Sequence, residues 1–186
     1  MVSVLLPWRD GPNVTNAVFF KLPSKFLTRA TLSDAWTARP PGLQWYWKGD
    51  FVNELTDEAI ALHVKHGYEM PTMHSTMHLY PIDGKTHQVG TDETPWDYRR
   101  AKWSKVIAGV DPDPENTEAI TAWAKEYWEA LHPHSAGGAY VNFMMEEGED
   151  RVKATYGSNY ERLAFIKQKY DPTNFFRVNQ NIKPAG

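Results

Sequence analysis

The sequence predicts an α+β fold, an antiparallel β-sheet with helices packed on one face. Strand-like and helix-like segments alternate along the chain, yet some strand candidates follow one another with no helix between them. That order favours an antiparallel sheet over a strict parallel plan. A third observation is a long segment with a helical apolar stripe, able to cover a sheet face. The 186 residues suffice for one well-buried core, so one domain is expected, with residues 43–186 forming it. Residues 1–42 are punctuated by Pro and Gly and read as an irregular segment, the incomplete start of that domain, apart from a short strand candidate at 16–20.

Leu43 to Lys48 is an aromatic run with β propensity. A helix follows, with Thr56 as cap, Asp57 and Glu58 against the macrodipole, Leu55 placed to staple onto Ile60, and a stop at Gly67. Pro71 to Tyr80 alternates as a strand, with Met73, Ser75, Met77 and Leu79 on one side and Thr72, His74, Thr76 and His78 on the other. Asp83-Gly84 reads as a hairpin turn into residues 87–90. Lys102 to Val110 is the next strand. Asp113 and Pro114 open the long helix, whose stripe is Ile120, Trp123, Ala124, Tyr127 and Leu131. Ala139 to Met145 returns as a strand, and Ser158 with Glu161 forms a capping box for a last helix that stops at Asp171-Pro172.

A formal net charge of -3 without a long basic run argues against nucleic acid as a partner. No window is apolar and long enough for a membrane span, and the first ten residues do not read as a signal peptide. The absence of cysteine excludes disulfides, thiolate metal sites and a cysteinyl-flavin link within these residues, and fits a cytoplasmic setting. No metal site is expected from the 7 histidines: His74 and His78, four apart on a strand, would lie roughly 13 Å apart. His63 and His66 share a helix face without a third ligand nearby in sequence. Gly137-Gly138 precedes a strand, the reverse of a dinucleotide loop, and neither Ser135 nor Ser158 sits in a nucleophile elbow. Tyr140 and Asn142, two apart on a predicted strand, share a face. A phenol beside a carboxamide there is placed to hydrogen-bond a polar ligand, or else to satisfy backbone groups at the edge of the core.

Those two residues open a longer pattern. Tyr140-Val-Asn-Phe143, Tyr156-Gly-Ser-Asn-Tyr-Glu-Arg-Leu163, the run from Ile166 to Arg177 and Asn179-Gln-Asn-Ile182 together resemble, in order and spacing, the C-terminal signature of berberine bridge enzyme-like oxidases. Weaker similarity extends back through Thr121 to Trp123, Thr94 to Arg99 and Leu43 to Lys48. The resemblance implies a substrate domain whose antiparallel sheet roofs the isoalloxazine ring of FAD, with the flavin held mainly by a separate N-terminal domain. It makes Tyr140, Asn142 and Asn179 candidates for flavin contact, and His74, Thr76 and His78 candidates for the substrate-facing roof. Many oxidases of the family carry a catalytic tyrosine where this chain has Phe143, and a benzyl group cannot take a proton. Tyr46, Tyr80 or a histidine of the 71–80 strand are the candidate replacements. A histidine common in the family before Arg99 is Tyr98 here.

The implied function is a partial FAD-dependent oxidoreductase, the substrate domain of an oxidase of alcohols, sugars or alkaloids, inactive and without flavin when alone. The expected partners are a small-molecule substrate, an FAD-domain chain and further copies of the chain itself. The alternative is a free-standing small-molecule binding module without redox activity.

Overall fold

The computed structural model describes residues 18–19 and 42–186. The expectations for the N-terminal segment lie outside these residues, except that Val18–Phe19 does form a short strand, β1. The other strands are β2 (Gln44–Val52), β3 (Thr76–Pro81) and β4 (Trp103–Asp111). They make one sheet in the order β1-β3-β4-β2, with every pairing antiparallel. Two helices, α1 (Asp57–Tyr68) and α3 (Thr117–Leu131), cover one face and bear out the α+β reading. A one-turn helix α2 (Lys85–Gln88) lies in the β3–β4 connection, and α4 (Glu149–Tyr156) and α5 (Tyr160–Tyr170) follow β4 and α3.

Paired residues in an antiparallel sheet share a face, so the register assigns every side chain. Tyr46, Lys48, Asp50 and Val52 of β2 pair with Gly109, Ile107, Lys105 and Trp103 of β4 and share the helix-covered face with Met77 and Leu79 of β3. The opposite face carries Trp45, Trp47, Gly49 and Phe51, then Val110, Ala108, Val106 and Ser104, then Thr76, His78 and Tyr80.

The helix stripe predicted for α3 is the buried one, residue for residue: Ile120, Trp123, Ala124, Tyr127 and Leu131. Gly109 explains how closely α3 approaches β4, because a Cβ there would lie 2.4 Å from the Ile120 carbonyl oxygen. Thr56 caps α1 as predicted, accepting from the Ala59 amide. The α1–α3 seam holds a buried polar pair, His63 Nδ1 at 2.7 Å from Tyr127 Oη. Burial, with Lys105 nearby, lowers the His63 pKa to about 3.

This pair has a pH signature. In the unfolded chain His63 takes a proton near its ordinary pKa of about 6.5, whereas in the folded chain it resists protonation until about pH 3. Between those values the unfolded state binds the extra proton, so stability declines as pH falls, by about 1.4 kcal/mol per pH unit for this group. Urea melts at pH 7, 6, 5 and 4 should show that decline. In His63→Gln the slope should be shallower by about one proton.

Four local expectations are corrected. The strand predicted from Pro71 begins only at Thr76, since Thr72 and Ser75 turn the chain, their hydroxyls bonding each other and the Val110 carbonyl. Asp83-Gly84 does not make a tight hairpin; Thr86 and His87 bond back to Asp83 and Gly84, opening α2, and β3 pairs with the later β4. Ser158 does not cap α5, because both its amide and its hydroxyl donate to the Asp97 carboxylate.

The fourth correction matters most for function. Residues 139–145 are not a strand but a single 3-10 turn, Val141–Phe143. Ala136 and Gly138 do pair with Phe51 on the outer edge of β2. The next carbonyl along that edge, Gly49, is instead taken by Arg151 Nη2 at 2.7 Å and by Trp128 Nε1 at 3.3 Å. With its partner groups already used, the edge cannot continue as a ladder, and the chain leaves it.

Candidate functional site

The departing chain lands on the face opposite the helices. Phe143 sits over Gly49, so closely that a Cβ on Gly49 would lie 3.1 Å from both the Cβ and the carbonyl oxygen of Phe143. Glycine is therefore what lets the turn rest on the sheet. The Phe143 ring meets Tyr80 at 5.5 Å and Tyr140 at 5.1 Å between centroids. Tyr80 stacks on His78 at 5.6 Å, and His78 Nε2 lies 3.0 Å from the Thr76 hydroxyl. At the other end Asn142 donates to Tyr140 Oη at 2.8 Å. Thr76, His78, Tyr80, Phe143, Tyr140 and Asn142 thus form one continuous chain of contacts, although the sequence places them in two segments about sixty residues apart. Trp45 and Trp47 continue the aromatic face, edge to face at 5.7 Å. The Trp47 indole N–H is buried with no hydrogen-bond partner.

Three of the sequence candidates lie elsewhere. Tyr46 packs on the helix-covered side against the α1–α3 core, under Lys125, so the sheet separates it from Phe143. His74 precedes β3, in the turn near Asp111. Asn179 is exposed on the C-terminal tail, in a left-handed conformation with φ 58°, and its neighbour Gln180 donates to the carbonyls of Met144 and Met145. The tail therefore reaches the end of the 140–143 turn through Gln180.

The array has a definite protonation character. Burial raises the Tyr80 pKa, so the phenol stays protonated at neutral pH and is a hydrogen-bond donor rather than a base. Tyr46 is also raised, by burial and then by Glu147 and Glu129. No group of His, Cys, Asp or Glu among the described residues could hold a metal ion. His63 and His66 do not converge on one: His63 faces Tyr127, and His66 Nδ1 lies 3.2 Å from Glu69.

Sequence reasoning missed the buried charges behind the turn. Asp50, fully buried, lies 2.6 Å from Arg151, 3.4 Å from Lys105 and 3.2 Å from His132. The strand alternation contained the signal: Lys105 lies two residues from Ile107 on a core face and so required a buried counter-charge. Tyr98, the position where the family often has histidine, stacks on Phe51 at 4.8 Å and donates to the Ala154 carbonyl, which seats α4 against the sheet.

The described residues thus form an antiparallel sheet with helices on one face and an aromatic array on the other. Residues 139–183, which hold the turn and the tail, match the protein family described as "Berberine and berberine like". The chain is 29% identical over 147 residues to an FAD-linked oxidoreductase of Dictyostelium discoideum, covering 78% of this chain and 32% of that protein. It is 32% identical over 133 residues to berberine bridge enzyme-like 23 of Arabidopsis thaliana, covering 58% and 24%. The solved structure of the Arabidopsis thaliana berberine bridge enzyme-like protein 28 shares the fold, with a TM-score of 0.68 and 24% identity over 78% of this chain and 34% of that one. The chain is thus similar, over about three-quarters of its length, to berberine bridge enzyme-like FAD-linked oxidoreductases, and it spans about a third or less of the length of these relatives.

Proposed function

We propose that the chain is the substrate domain of an FAD-dependent oxidoreductase acting on an alcohol, sugar or alkaloid, with the flavin held mainly by protein outside these 186 residues. The observation that carries this reading is the single contact array from Thr76 to Asn142. Its residues fit the flat end of a flavin: rings line the face, and the Tyr140 hydroxyl and the Asn142 carboxamide can serve its polar edge. FAD, when bound, supplies the hydride acceptor. The chain's own residues roof the face and exclude water, Tyr80 donates a hydrogen bond to a substrate oxygen, and Thr76 orients His78. Phe143 contributes shape and holds no proton.

The exposed apolar surface supports a partner. Phe165, Ile166, Tyr170, Phe175, Phe176 and Val178 are all exposed, and Asp171 holds the amides of Phe175 and Phe176 in an ordered turn. An FAD-domain chain fits that surface. Without one, a second copy of the chain would cover it.

Gel filtration with light scattering and visible absorbance tests the reading. The purified chain should elute colourless and larger than a monomer. With an FAD domain from a relative it should elute as a yellow one-to-one complex. Stoichiometric flavin on the chain alone, or no complex with any such domain, would overturn the proposal.

A further inference from the structure

We infer that Arg151 and Glu147 are positioning residues, forming an ionic bracket that sets Phe143 over Gly49 and thereby fixes the shape of the proposed flavin-facing array. The inference rests on the reading of that array as the working face.

The turn from 140 to 143 has no extended strand pairing; Ala139 and Met144 pack on Val152 behind it and Gln180 holds the Met144 and Met145 carbonyls, while its height above the sheet is set from the strand beneath. The chain enters at Gly137, whose carbonyl accepts from Arg151 Nη1 at 2.5 Å. The other fork of the same guanidinium holds the Gly49 carbonyl at 2.7 Å and the Asp50 carboxylate at 2.6 Å. One planar group therefore ties the start of the turn to the two β2 residues beneath and beside Phe143. A guanidinium can do this because its donors diverge in a fixed plane, which an ammonium cannot reproduce. The chain leaves at Glu147, whose carboxylate is 2.6 Å from Lys48 and 3.6 Å from Arg151 Nε, with the Glu147 side chain only 5% exposed. Lys48, Gly49 and Asp50 are consecutive, so both ends of the loop are fastened to the same three residues of one strand. Lys105 beneath Asp50, and Trp128 within 3.8 Å of Lys48 Nζ, hold the strand side of the bracket in place.

Buried ion pairs add little net stability compared with apolar packing, but they select one arrangement sharply. The bracket accordingly acts on the geometry of the turn more than on the fold. Arg151 also occupies the Gly49 carbonyl that a continued β2 ladder would need, so it both prevents the strand and places what replaces it.

The test uses the isotopically labelled 186-residue chain. In the wild type, nuclear Overhauser contacts should join Gly49 Hα to Phe143 Hβ and the Tyr80 ring to the Phe143 ring. In Arg151→Lys and Glu147→Gln those contacts should disappear and the Phe143 amide should exchange at least about tenfold faster, while the Ile107 and Tyr127 amides stay protected. Should Arg151→Lys fail to fold, Glu147→Gln, which removes one charge and keeps the volume, gives the answer alone. Contacts retained with exchange within about twofold of wild type would overturn the inference, as would loss of the whole fold in both variants. These readouts need no flavin, so a failure of flavin binding would defeat the functional proposal and leave the bracket standing.

Discussion

Phe143→Tyr should raise the rate of flavin reduction by an alcohol about a hundredfold or more once the chain is paired with an FAD domain, in line with what a positioned general base contributes. The reason is the composition of the array. Two phenols lie beside Phe143: burial holds the Tyr80 pKa above the ordinary tyrosine value, and the Tyr140 hydroxyl is taken as an acceptor by Asn142. Tyr46 is on the far side of the sheet. The ring of Phe143 already occupies the place between Tyr80 and Tyr140, so adding one hydroxyl restores the group that many oxidases of the family carry at this position without moving its support. Rapid-mixing measurements at several alcohol concentrations would follow flavin bleaching in both forms. Equal and fast reduction by both would show that the proton goes elsewhere, with His78 the first candidate to substitute.

The second large effect is expected in the core. Tyr127→Ala should cost about 3–5 kcal/mol from the cavity alone, because the ring is fully buried among Trp123, His63 and His66. It also removes the hydroxyl 2.7 Å from His63 Nδ1, and losing that buried hydrogen bond adds about 1–3 kcal/mol. Against a total of about 5–15 kcal/mol for a domain, that leaves little or no folded protein at 37 °C. Urea titration followed by circular dichroism would measure it. A cost under about 1 kcal/mol would mean that the α1–α3 seam is not where stability resides.

The parts of the fold legible in the sequence were those where local pattern and tertiary packing agree. The α3 stripe and the β4 strand are both of this kind, as is the Thr56 cap. The misread segments are those where a distant partner outweighed a sound local signal. Ser158 and Glu161 have capping-box spacing, but Asp97, some sixty residues away, takes the serine. Ala139 to Met145 has strand composition, but Arg151 already occupies the edge it would have joined. The aromatic run of β2 hid its alternation, since Trp45, Tyr46 and Trp47 are all aromatic; only the register shows that Tyr46 faces the helices. Most of the candidate site was found through the family motif rather than through chemistry, and that motif could not say which residues meet. The link from Tyr80 to Phe143 belongs to the tertiary structure.

The most direct measurement of the central claim is a chemical-shift map of the labelled chain on addition of an FAD-loaded domain from a relative. If the face bearing Thr76, His78, Tyr80, Tyr140, Asn142 and Phe143 roofs the flavin, the largest shifts, driven by the ring current of the isoalloxazine, should fall on those residues and on Trp47. The α1 and α3 surfaces should stay silent. Complex formation with the array unshifted, and the changes confined to the α5 surface or to the helix-covered side, would contradict it.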